Sequence, residues 1–280
     1  MISWTPGLLR KRQAYNSVEV ILAFTRAVPR SIDRCELTHL ERTPIDYARA
    51  VEQHDAYEAA LRRVGCDVRR LPDAHDLPDS VFVEDTAVVF DDVAVIARPG
   101  APSRRGEVEA MAEALRPFRR LAFVQAPGTL DGGDVLVTPG KVFVGISGRT
   151  NADGARQLAT HVAPLGFETV PVPVTGCLHL KSAVTCLPDL RPEGRSYLTI
   201  NPDWVDPAHF EGFELVEIDS AEPMAANVLT VGNRVICAEE HPGTRRRLEA
   251  HGFVTLAVPA GELARAEGGV TCCSVLITIP

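Results

Sequence analysis

The sequence predicts an α/β protein made of five strand–strand–helix–strand units around a central axis. Three observations lead there. Short β-hairpins recur along the chain, each hairpin runs into a helical stretch, and each helical stretch runs into one more apolar strand. The unit repeats at about 45 to 50 residues, a period that marks a repeat architecture, and five copies fill the chain. The same pattern also fits an ordinary mixed α/β sandwich whose hairpins are fortuitous.

The elements follow in order. Val18–Phe24 reads as a strand, and Pro44–Val64 as a long helix. Thr86–Phe90 and Val93–Ala97 flank Asp91-Asp92, a tight hairpin signal. A helix over Arg104–Leu115 and a strand over Leu121–Val124 complete that unit. Val135–Thr138 and Val142–Gly145 flank Pro139-Gly140-Lys141, followed by a helix over Asn151–Ala163 and a strand over Thr169–Val172. Ser182–Cys186 and Tyr197–Ile200 start a fourth copy with an eroded helix. Val228–Val231 and Arg234–Cys237 flank Gly232-Asn233, then a helix over Gly243–Ala250 and a strand over Val254–Val258. The remaining unit closes circularly, Cys272–Ile279 pairing near Val18–Phe24.

Composition limits the function classes. The chain has 280 residues, 45% hydrophobic and 24% charged, an ordinary globular balance. A net charge of −8 argues against nucleic acid as a partner and suits a cationic substrate in an acidic cleft. Seven cysteines without CxxC or zinc-finger spacing point to a reducing compartment, and cytoplasmic is the default. No apolar run approaches the roughly 18 residues of a membrane span. Residues 1–16 read as an extension without a secretory signature, and 17–280 as a single domain.

The repeat has a consequence for chemistry. Residues just before the first strand of each unit converge on the axis: Glu84-Asp85, Asp131 to Asp134, His179, Ala226-Asn227 and Thr271-Cys272. That brings two acidic segments, a histidine and a cysteine to one cavity. Gly268-Gly269 lets the backbone bend ahead of Cys272, although Cys272 and Cys273 also read as small apolar residues of a buried strand. Asp79, Glu84 and Asp85 lie among apolar residues, and carboxylates buried together need a cation. Their spacing matches no common zinc motif, whereas a guanidinium fits paired carboxylates; solvated acids at a loop edge remain the plain alternative. In Asp131-Gly132-Gly133-Asp134 the glycines serve either close approach or a turn with positive φ. His179, between Leu178 and Leu180, is either a core histidine or a proton donor whose tautomer a carboxylate such as Asp131 fixes. Arg104 and Arg149 each end a hairpin before a helix, as surface residues or as ligands for a carboxylate end of a substrate.

Six ordered motifs carry a resemblance. Asp79-x-x-Phe82-x-Glu84-Asp85, Arg98 to Arg105, Leu130 to Asp134, Ser147 to Asn151, Leu178 to Ser182 and Thr271 to Ser274 resemble dimethylarginine dimethylaminohydrolases, over about Val18 to Ile279. The resemblance implies a five-bladed α/β propeller of the guanidino-modifying superfamily, no cofactor, and a monomer or homodimer acting on a guanidino amino acid. It implies Cys272 as nucleophile, His179 as proton donor and then base, and Asp131 as its orienting partner. It implies Asp85 with Glu84 on the guanidinium, and Asp79 on the α-ammonium with carbonyls around Leu37 and Ala266. Arg104 and Arg149 would clamp the α-carboxylate, Leu37 would sit in a lid, and Phe82 would form an apolar wall. Glu267 departs from the aspartate of close relatives, with altered amine recognition as one consequence. Zinc, which favours thiolate and imidazole, would inhibit by bridging Cys272 and His179. The alternatives are an arginine deiminase or another guanidine hydrolase or amidinotransferase of the same fold, and a non-catalytic propeller that only binds. Cys272, His179 and Asp131 occurring together argue against the last.

Overall fold

A computed structural model describes residues 19–189 and 196–279. The expected extension over residues 1–16 lies outside the described residues. Five three-stranded sheets follow one another in a ring. The chain enters at β1 (Val20–Thr25), crosses through α1 (Tyr47–Arg63) and returns parallel to β1 as β2 (Cys66–Arg70). The second blade is β3 (Ala87–Val89), β4 (Val93–Ile96), α2 (Val108–Leu115) and β5 (Arg120–Phe123). The third is β6 (Val135–Thr138), β7 (Lys141–Ile146), α3 (Ala152–Val162) and β8 (Glu168–Pro173). The fourth is α4 (Leu180–Ala183), β9 (Val184–Cys186), β10 (Tyr197–Ile200) and β11 (Glu214–Glu217). The fifth is β12 (Leu229–Val231), β13 (Arg234–Ala238), α5 (Pro242–Ala250) and β14 (Val254–Val258). After α6 (Gly261–Ala264), β15 (Val275–Ile279) pairs antiparallel with β1 and closes the ring on the first blade.

Every blade thus joins an antiparallel pair to a parallel third strand. Middle strands are covered on both faces, which explains their unbroken apolar runs. Val93, Val95, Ile96, Val142, Phe143, Val144, Leu198, Ile200, Val235 and Ile236 are all fully buried. Helix starts follow their caps: the side chains of Asp46 and Asn151 accept from the N–H groups of Arg49 and Gly154. The hairpin loops behave as read, with Gly140 at φ 74° and Gly232 at φ 57°.

Two expectations, for the Arg104–Leu115 helix and for Cys272 with Cys273, are corrected in detail, and the eroded helix of the fourth blade is met as expected. The helix expected over Arg104–Leu115 opens as a 3-10 segment, Pro102–Glu107, which turns Arg104 and Glu107 inward. The eroded helix of the fourth blade is a single 3-10 turn, Pro207–Phe210, with proline at its start and Gly212 at φ 98° just past its end. Cys272 and Cys273 are not in a strand; they sit in the turn that precedes β15.

First strands of all five blades line a central channel of about 320 Å³, with Val88, Leu136, Thr185, Leu229 and Val275 among its walls. Among the described residues, no helix is long and apolar enough to cross a membrane.

Candidate active site

The converging residues occupy equivalent places, each in a turn just ahead of a first strand. Asp85 lies in the 3-10 turn Val83–Thr86 before β3, and Asp131 precedes the 3-10 turn Gly132–Asp134 before β6. His179 precedes α4 and β9, and Cys272 precedes β15. One cavity is lined by Asp79, Phe82, Asp85, Arg104, Arg149, Ala266, Glu267 and Cys272, with His179 among them.

His179 is 3% exposed. Its Nε2 lies 3.1 Å from Asp131 Oδ2, and its Nδ1 lies 3.7 Å from Asp85 Oδ1. Burial works against charging the ring, but Asp85, Asp134 and Asp131 outweigh it and raise the imidazole to about 9. At neutral pH it is therefore an imidazolium. Asp131 is held in turn, its Oδ1 accepting from Gly100 N–H at 2.8 Å. Asp134 Oδ1 accepts from Leu180 N–H, pinning the backbone beside His179. Burial is the main reason that the Asp134 carboxyl rises to about 6.

The glycine pair in this segment serves close approach rather than positive φ. A Cβ on Gly133 would lie 2.6 Å from His179 Nδ1 and 2.7 Å from Asp85 Oδ1, and one on Gly132 would lie 2.0 Å from the Glu84 carbonyl oxygen. Asp85 Oδ1 also accepts from Gly133 N–H at 2.9 Å.

Cys272 sits in a turn where Gly269 N–H approaches its Sγ at 3.3 Å. Burial, then Glu84 and Asp85, push its thiol up to about 12. The sulfur therefore rests as a neutral thiol, and a cation placed between it and the acids lowers the cost of ionising it.

Several expected binding residues have other engagements. Arg104 is no free carboxylate clamp: Nη1 meets Asp85 Oδ2 at 2.6 Å, Nη2 meets Glu107 Oε2 at 2.8 Å, and Nη2 also reaches the Asp79 and Phe82 carbonyls. It is a buried counter-ion that fixes Asp85, whose carboxyl stays below the usual range; burial opposes this, while His179 and Arg104 enforce it. Glu84 does not line the cavity with Asp85. It faces the channel, bonded at 2.6 Å to Lys181 Nζ and at 2.8 Å to the Thr271 hydroxyl. Glu267 is likewise spoken for. Its carboxylate accepts the N–H groups of Thr38, His39 and Leu40 at 2.5 to 3.0 Å. Its backbone is left-handed at φ 57°, a conformation costly to any residue with a Cβ.

The segment around Leu37 is seated on the site. Glu36 N–H donates to both Asp79 oxygens at 3.1 and 3.2 Å, and Arg149 Nη2 donates to the Thr38 hydroxyl at 3.2 Å. Leu37 packs on the core cluster that contains Phe82, Ala266 and Cys272. Arg149 also comes within 4.0 Å of Asp131. In this arrangement the cavity is about 10 Å³, no more than a water occupies.

Sequence reasoning gathered Asp134 with Asp131 without giving it a role, and it missed Glu107 and Lys181 as partners of the site. Of the two missed residues only Lys181 carries a signal, a lone cation two residues beyond His179. Asp85, Asp131 and His179 also bring ligating atoms within 4.8 Å of one another from three blades, which no spacing motif could reveal. Arg104 and the imidazolium already balance that charge.

Comparison with known proteins agrees with this fold. Residues 33–186 match the family described as N,N dimethylarginine dimethylhydrolase, eukaryotic. The N(G),N(G)-dimethylarginine dimethylaminohydrolase of Streptomyces coelicolor is 45% identical over 240 residues, 85% of this chain and 90% of that protein. The protein of the same name from Pseudomonas aeruginosa is 36% identical over 246 residues, 87% of this chain and 94% of that one. The solved structure of a Cys→Ser mutant of the Pseudomonas aeruginosa enzyme, complexed with citrulline, superposes with a TM-score of 0.85 at 34% identity, covering 92% of this chain and 100% of that chain.

Proposed function

The chain belongs to the dimethylarginine dimethylaminohydrolase family, and from that premise we propose that it hydrolyses N-omega-methylated arginines to citrulline and the methylated amine. One observation carries the residue roles: a buried thiol and an imidazolium line the same cavity as Asp85 and Asp79.

The substrate guanidinium, set against Asp85, supplies the positive charge that lets Cys272 ionise, the thiol proton leaving to solvent. The Cys272 thiolate then attacks the guanidinium carbon, forming a C–S bond while the C=N electron pair moves to nitrogen. His179 gives its proton to the nitrogen bearing the methyl groups, and the C–N bond breaks to release dimethylamine. Neutral His179, oriented by Asp131, next takes a proton from water as that water attacks the thiouronium carbon. Collapse breaks the C–S bond as the hydroxyl on that carbon gives its proton to solvent and becomes the carbonyl, restoring the thiolate and freeing citrulline. Asp79 is suited to the α-ammonium, Arg149 to the α-carboxylate, and Phe82 to the apolar side of the methyl groups. Arg104 acts chiefly by holding Asp85.

Residues 17–280 form one catalytic domain in this reading, which the pairing of β1 with β15 supports. A reducing, cytoplasmic setting is supported by seven cysteines that are all free.

The test measures citrulline and released amine from asymmetric dimethylarginine, monomethylarginine and arginine. Turnover of the methylated substrates is expected, lost in Cys272→Ser and largely kept in Cys273→Ser. A kcat/KM for arginine equal to or above that for dimethylarginine would move the chain to the deiminase alternative, with the nucleophile unchanged.

A further inference from the structure

The repeat brings a fifth polar segment to the axis, Ala226-Asn227, for which the reaction above has no use. Asn227 is 8% exposed and does not line the substrate cavity. Its side-chain amide is nonetheless fully engaged. Oδ1 accepts the N–H of Thr271 at 3.0 Å, and Nδ2 donates to the Thr271 hydroxyl at 3.0 Å and to the Lys181 carbonyl at 3.0 Å. Thr271 is the residue before Cys272, and Lys181 lies two residues after His179. One amide therefore ties the thiol-bearing turn to the histidine-bearing turn, across two blades.

The rest of the turn is built around that amide. A Cβ on Gly269 would lie 2.4 Å from Asn227 Oδ1, so only glycine lets the turn close onto it. Gly269 is also the residue whose N–H approaches Cys272 Sγ. The Thr271 hydroxyl, receiving from Asn227, passes its own hydrogen to Glu84 Oε2 at 2.8 Å, and Glu84 is neutralised by Lys181. An amide is the one side chain of this size with an acceptor for a backbone N–H and two donors for a hydroxyl and a carbonyl. Aspartate keeps the acceptor and loses both donors. Alanine loses all three.

We propose that Asn227 is a positioning residue that fixes the Cys272 turn against the His179 turn, so that nucleophile and acid meet the same guanidinium carbon in register. The proposal rests on Cys272 and His179 holding the roles given above. Because Asn227 does not line the substrate cavity, its removal acts on kcat and leaves KM nearly alone. Loosening the turn also relieves the burial that keeps the thiol neutral, so Cys272 becomes easier to alkylate while turnover slows.

The experiment compares wild type, Asn227→Ala and Asn227→Asp in two assays. Steady-state citrulline formation, normalised to the folded fraction, should show kcat lower by about a hundredfold, as for a misplacement near 1 Å, with KM changed by less than about threefold. Iodoacetamide labelling, read peptide by peptide, should speed up at Cys272 while Cys66, Cys177 and Cys237 stay protected. A wild-type kcat in both variants would overturn the proposal. So would a loss carried by KM, or simultaneous exposure of all seven thiols in both, which marks a general role in folding. The labelling arm needs no turnover: wild type failing to make citrulline removes the hydrolase reading, whereas unchanged Cys272 labelling in both variants removes the role of Asn227.

Discussion

Changing Asp131 to asparagine should move the alkaline limit of activity toward neutral pH. His179 must be protonated to expel the amine, so kcat/KM falls as pH rises past its pKa, which the structure puts at about 9. Asp131 contributes through the 3.1 Å bond to Nε2 and through its charge. A hydrogen bond to a charged group is worth about 1.5 to 3 kcal/mol, and each pH unit corresponds to about 1.36 kcal/mol, so the limit should fall by about one to two units. Starting from about 9, a fall of that size leaves the limit above the ordinary histidine value, with Asp85 and Asp134 still offsetting the burial of the ring. The assay is a pH–rate profile of citrulline formation from pH 6 to 10, paired with an NMR titration of labelled histidine. Lost orientation adds a pH-independent drop, which the profile separates from the shift. An alkaline limb that stays with the wild type would show that Asp131 does not hold the proton on His179.

Three other outcomes follow from particular contacts. Gly133→Ala places a methyl 2.6 Å from His179 Nδ1 and 2.7 Å from Asp85 Oδ1, both held by other bonds, so kcat should fall by about a hundredfold or more in steady-state assays. Glu267→Gln keeps the shape but not the charge that gathers the N–H groups of Thr38, His39 and Leu40; hydrogen exchange at residues 38–40 should accelerate, and unchanged rates would refute its hold on the segment. His54 is buried with its imidazole held down to about 4, mainly by burial. Its folded pKa lies below the ordinary 6.5, so the stability it gives is whole above pH 6.5 and is lost as pH falls toward 4, about 3 kcal/mol in all. His54→Leu should flatten the fall of Tm over that range, and an equally steep fall would refute it.

The repeat was legible because hairpins, helices and apolar strands are local: turn residues such as Pro139-Gly140 and Gly232-Asn233 and the caps Asp46 and Asn151 write their geometry into neighbouring residues. Equivalent positions in a ring must meet, so the gathering of Asp85, Asp131, His179 and Cys272 also followed from the sequence. Side-chain pairing did not. Arg104 and Glu84 lie in the motif a binding site needs, yet the first spends itself on Asp85 and Glu107 and the second turns to Lys181. Which of several nearby charges a buried carboxylate meets depends on distances across blades, set by packing over separations such as the 97 residues between Glu84 and Lys181. The same holds for Glu267, whose carboxylate closes on the segment at residues 38–40 because α6 and the following turn bring it there. Local pattern determined the blades and the residues at their mouths; the desolvation of charge, which forces each buried ion to find its own partner, was decided only by the folded whole.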